Sequence, residues 1–177
     1  MTAALRMLSP FVIACLAATC PVAARAQSIR PLDRLADAAY QLGQRRSGQF
    51  RQLVAELDAS DVIVHVVTTH EMPAGIKGTT RFVALIEDVR YVRVHLASSL
   101  TPKLRAAMLA HELQHACELA RSGAASHEAV RALYLAIGMP GRDLQDVFET
   151  SEAEQAGRTT WFELGRGLHA DADDAPR

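Results

Sequence analysis

The sequence predicts an α+β domain, and three observations carry that reading. Apolar residues recur with a helical period over residues 29–60, with a period of two over residues 61–97, and with a helical period again over residues 101–168. The middle block holds the β-branched run Val62, Ile63, Val64, Val66, Val67 and Thr68, whereas the flanking blocks are rich in Leu and Ala. Strands grouped together between helices, rather than alternating with them, imply a small, mostly antiparallel sheet packed against helices.

Residues 1–26 read as an export signal. Arg6 gives a positive start, Met7 to Ala18 an apolar run, and Ala24-Arg25-Ala26 a small-x-small cleavage site before Gln27. Interrupted by Pro10 and closed by Pro21, the apolar run is too short to span a bilayer. The expectation is therefore an exported domain, periplasmic or secreted, over residues 27–170, without stable membrane insertion after cleavage. Cys15 and Cys20 leave with the signal, so Cys117 has no disulfide partner and reads as a small buried apolar residue. With 19 Lys and Arg against 20 Asp and Glu, and no basic run, nucleic acid is not an expected partner. Residues 171–177, small and acidic, read as a disordered tail.

In the first helical block Leu32, Leu35, Ala36, Ala39 and Leu42 form one stripe, and after Ser47-Gly48 the residues Phe50, Leu53, Val54 and Leu57 form another. Three strands are expected next, over residues 61–68, 80–86 and 89–97, the last two joined by a tight turn at Glu87-Asp88. Pro73, Gly75 and Gly78 make a loop of the segment between the first and second. In the third strand Val92, Val94 and Leu96 alternate with Tyr91, Arg93 and His95, giving a core face and a wet face.

A long helix follows. Thr101-Pro102 supplies a start signal, and no glycine or proline interrupts it before Gly123. Within it lies His111-Glu112-Leu113-Gln114-His115. Positions four apart stack one above the other on a helix, so His111 and His115 can offer both imidazoles to one metal ion. Glu112 sits one step round, beside that metal without ligating it, where a general base has to be to take a proton from water. As two core histidines without a metal, the pair would still need buried hydrogen-bond partners.

This HExxH helix resembles the active-site helix of the zincin metallopeptidases. The resemblance implies a minimal zincin-like domain, one Zn2+ ion, and peptide-bond hydrolysis by metal-activated water with Glu112 as general base. It also implies a peptide or protein substrate held extended against a sheet edge, although which strand is the edge is open at this stage. Glu118 and Arg121 stand where the metzincin extension needs Gly and His, which excludes that branch. The gluzincin-like plan, whose third ligand is a glutamate on a later helix, fits.

Residues 126–137 read as a helix capped by Ser126 and ended at Gly138, with His127 in its first turn. A final helix is expected over residues 147–168, its buried face formed by Ala153, Ala156, Gly157, Thr160, Trp161 and Leu164. Glu149 continues the row of Ala153, Ala156 and Thr160, while Glu152 falls further out and Glu154 points away. Glu149 is thus the expected third metal ligand, with Glu152 as second choice. An oxyanion-stabilising group is not fixed among Tyr91, His95, His127, Tyr134 and Arg158. The competing expectation is a non-catalytic exported scaffold whose zinc is structural or whose site is vestigial; a fourth protein ligand would mark a structural site.

Overall fold

The computed structural model describes residues 27–140 and 148–173; the expected export signal lies outside them. The chain begins with a short strand, β1 (Ile29–Pro31), then α1 (Arg34–Arg46) and α2 (Gly48–Asp58). Asp33 caps α1 by accepting from the backbone of Leu35 and Ala36, and also takes the Thr68 amide at 2.6 Å, tying the helix start to the sheet. Ser47 ends α1 and caps α2, where its hydroxyl accepts from Phe50 N. Gly43 is needed between them, since a Cβ there would strike the Phe50 ring.

Three strands follow, β2 (Val62–Thr69), β3 (Gly78–Ile86) and β4 (Val89–Ala97), and the sheet order is β1-β2-β4-β3. The α+β expectation holds, but the sheet is mixed rather than mostly antiparallel. β1 runs parallel to β2 and β2 parallel to β4; β3–β4 is the antiparallel pair. The local hairpin was visible in its turn, where Glu87 (φ 47°) and Asp88 (φ 63°) adopt the left-handed backbone of a tight connection. That hairpin folds back so that β4 lands beside β2, a non-local pairing that no local pattern specifies.

Val62, Val64, Val66, Val92, Val94 and Leu96 make a nearly solvent-free inner face, each worth about 1.5–3 kcal/mol on burial. α1, α2 and α3 (Pro102–Ser122) pack on that side. The buried face of α1 is Ala36, Ala39, Tyr40 and Gly43, whereas Leu32 (56% exposed) and Leu35 (42% exposed) face outward, contrary to the predicted stripe. The cause is β1, which takes Ile29 into the core and moves the helix start to Arg34.

α3 is buried on nearly every side from Arg105 to Leu119. Thr101 makes no side-chain cap bond; Arg105 instead donates to the Ser98 and Leu100 carbonyls just before the helix. At the other end Gly123 adopts φ 69°, and the Arg90 guanidinium bridges Asp61 to the carbonyls of Leu119 and Ala120. α4 (His127–Ile137) is capped by Ser126 as expected. Two short paired strands, β5 (Met139–Pro140) and β6 (Phe148–Glu149), precede α5 (Ser151–Asp173). α5 therefore starts later than the predicted residue 147 and runs into the first three residues of the expected tail; 174–177 lie outside the described residues. No helix among the described residues is long and apolar enough to cross a membrane.

Candidate metal centre

The buried middle of α3 turns a polar face toward β6 and the start of α5. His111 and His115 project there with ring centroids 5.0 Å apart, one turn of helix separating them. Glu149 reaches the same point from β6. One ligand atom from each of His111, His115 and Glu149 lies within 4.8 Å of the other two, so this group can hold a metal ion. Glu149 is brought there from a strand rather than from the helix predicted to carry it. The helix begins two residues later because Thr150 caps it, its hydroxyl accepting from Ala153 N at 3.1 Å.

Glu149 Oε2 lies 3.1 Å from His111 Nε2, yet this buried oxygen has no hydrogen-bond partner among the described residues. Two atoms bound at 2.0–2.1 Å to one tetrahedral ion stand about 3.3 Å apart, so the spacing is compatible with a shared cation, and the oxygen left without a well-directed partner is available to one. Burial alone favours a neutral His111, but the carboxylates of Glu149 and Glu112 outweigh it and hold the imidazole above its ordinary pKa. For Glu149 burial works against ionisation, and His111 and His115 reverse that, placing its carboxyl below the ordinary range.

His115 is oriented by a carboxylate. Its Nδ1 faces Glu118 Oε2 at 2.8 Å, which leaves Nε2 as the free ring nitrogen. The other oxygen of Glu118 accepts the Thr150 hydroxyl at 2.6 Å, linking the histidine to the residue that follows Glu149. Sequence reasoning missed Glu118 in this role, although its position three residues after His115 places it on the same helix face. Gly157 explains the close approach of α5: a Cβ there would meet His111 Cβ at 3.2 Å.

Glu112 is 3% exposed. Its burial raises the carboxyl pKa above the ordinary value, against the opposing pull of His115, His111 and the Thr80 hydroxyl, which donates at 2.7 Å. Gly78 leaves room for that carboxylate, since any Cβ there would collide with Glu112 Oε1. β3 thus lies over the glutamate, and β3 is an edge of the sheet. A cleft of about 450 Å³ opens here, lined by Gly78 to Phe82 together with Glu112, His115, His127, Tyr134 and Glu149. His111 also lines a second, mostly apolar pocket of about 330 Å³ with Leu104, Met108 and Trp161.

The remaining predicted residues separate cleanly. Glu152 is exposed and pairs with Arg121 at 3.0 Å, outside the metal group. Tyr134 donates its hydroxyl to the His115 carbonyl and so packs behind the histidine. Tyr91 and His95 belong to the wet face of β4, Arg158 bonds Glu154 at 2.9 Å, and of the oxyanion candidates His127 and Tyr134 line the cleft with Glu112, His115 and Glu149. Cys117 is buried with its Sγ toward the Leu53 carbonyl. Compared with protein-family models, with curated proteins and with solved structures, the chain matches none.

Proposed function

We propose that the chain is an exported, zinc-dependent metallopeptidase that hydrolyses peptide bonds, with His111, His115 and Glu149 as metal ligands and Glu112 as general base. The observation that carries this reading is the convergence of two imidazoles and one carboxylate on a shared point, next to a second, buried carboxylate, that of Glu112. Two nitrogens and one oxygen are a donor set suited to Zn2+. Among the described residues the group has three members, which leaves a coordination position for solvent or substrate, as catalytic rather than structural sites do. When bound, the ion would polarise an amide carbonyl and bring the pKa of its water toward ~7.

The chain's own residues supply the rest. Glu112, held by Thr80 and with a raised pKa, accepts a proton at its carboxylate and passes it to the leaving amine. Glu118 fixes the tautomer and direction of His115. The free edge of β3 offers backbone groups to an extended peptide, and His127 lines the cleft as a donor for the developing oxyanion. Residues 1–26 would direct export. The test is Glu112→Gln assayed on an unfolded protein substrate by amine release, beside metal analysis. Retained zinc with turnover abolished is expected, while turnover surviving in the variant would reject the mechanism.

A further inference from the structure

The four strands of the main sheet contain no Asp or Glu, although the chain has 20 acidic residues. Their outward positions carry basic residues in a row, three arginines with His65 between the first two. Arg30 on β1 is in register with His65 on β2, His65 with Arg93 on β4, and Arg93 with Arg81 on β3. One straight line of basic side chains therefore crosses the whole sheet on the face opposite the helices, with His95 beside it. Arg81 and Arg93 are exposed, and neither has an ion pair among the described residues. Like charges placed directly across neighbouring strands destabilise a sheet, so the opposed pair Arg81 and Arg93, with Arg30 further along the row, works against the fold unless an anion lies on it. Burial and the neighbouring arginines also hold His65 and His95 below their ordinary pKa, in keeping with a positive local field.

We propose that the outer face of the sheet is a docking surface for an acidic stretch of polypeptide, laid across the strands from Arg30 to Arg81. Three strand spacings make the row about 14 Å long, and acidic side chains at alternate positions of an extended peptide, ~6.8 Å apart, cover that length with three residues. The row ends on β3, the edge strand whose Arg81 also lines the cleft that holds Glu112 and Glu149, so a chain on this face reaches the sheet edge beside the candidate site. An anionic bilayer spread over the same face would also meet the exposed Glu87 and Asp88 at the hairpin end, which repel it. A single-stranded nucleic acid would need a succession of aromatic faces, but the four strands hold only the buried Phe82 and Tyr91, one face of which packs on His65 at 6.1 Å. That the docked chain is also the chain to be cut rests on the peptidase reading; the docking itself does not.

The test is a titration of the full chain with a fluorescent oligoglutamate peptide of about eight residues. Phosphatidylglycerol vesicles and an oligothymidylate are run alongside it. The expected result is saturable, salt-sensitive binding of the peptide, weakened about tenfold by Arg93→Gln, weakened further by adding Arg30→Gln, and restored by Arg93→Lys. Melting temperature and zinc affinity, read on the same variants, verify that they are folded; if Arg93→Gln is not, Arg30→Gln at the sheet margin carries the comparison. Absence of peptide binding, equal binding by folded variants, or tighter binding of vesicles or oligothymidylate would overturn the proposal. Peptide binding by a protein that hydrolyses nothing would retain this inference and remove the peptidase reading.

Discussion

The two faces of α3 are both buried and entirely different in chemistry. On one, Leu109, Leu113, Ala116 and Cys117 join the core that α1, α2 and the sheet complete. On the other, His111, Glu112, His115 and Glu118 are 3–8% exposed, yet every one of them is polar. Burial stabilises the first face and costs the second its hydration, which is offset by the bonds from Thr80 to Glu112, between His115 and Glu118, and from Thr150 to Glu118. A helix enclosed on all sides could have been apolar throughout. Keeping four ionisable groups in it works against stability and points to binding.

Substitutions on the two faces should therefore separate stability from metal affinity. His111→Ala has the largest expected effect, loss of metal binding, with a smaller loss of stability in the metal-free protein because Glu149 is left without its partner; chelator competition and thermal melts read the two quantities. Leu113→Ala should do the reverse, costing about 2–5 kcal/mol in urea unfolding while the folded fraction keeps its metal affinity. Glu118→Gln should weaken metal binding about 10–100-fold, because His115 loses the carboxylate that aims it. A metal affinity unchanged by Glu118→Gln would place that carboxylate on the structural side of the comparison.

The smallest expected effect lies far from the site. Asp33→Ala should cost about 1 kcal/mol by uncapping α1. Burial opposes ionisation of Asp33, but hydrogen bonds from Thr68, Ala36 and Leu35 prevail and hold its carboxyl below the ordinary aspartate value of 3.8. Its contribution is therefore present above that value and disappears as pH falls through the lower folded-state pKa. Acid titration of stability should show this component in the wild type and not in Asp33→Ala.

The local signals in the sequence were readable wherever the structure is itself local. The Glu87-Asp88 turn, the Ser126 cap and the one-turn spacing of His111 and His115 follow from neighbours in the chain. Glu149 does lie in the group with His111 and His115, but the reason that pointed to it was partly wrong. Helical periodicity carried the predicted helix back to residue 147, whereas Thr150 stops it and leaves Glu149 on β6; a Thr-Ser pair ahead of Ala153 was the available cap signal. Three-residue β1 was too short to show a period, and parallel pairing of β2 with β4 depends on contacts distant in sequence. The same distance hid the cationic row. Arg30, His65, Arg93 and Arg81 form no run, and only strand register brings them together.

The central claim is that two imidazoles and the Glu149 carboxylate form a single cation site, and zinc stoichiometry tests it most directly. Purified wild type, Glu149→Ala and Glu152→Ala would be equilibrated with Zn2+, desalted and analysed for metal. One ion per chain in the wild type and in Glu152→Ala, with the ion lost from folded Glu149→Ala, is the predicted result. A wild-type chain without zinc, or full retention by Glu149→Ala, would contradict it.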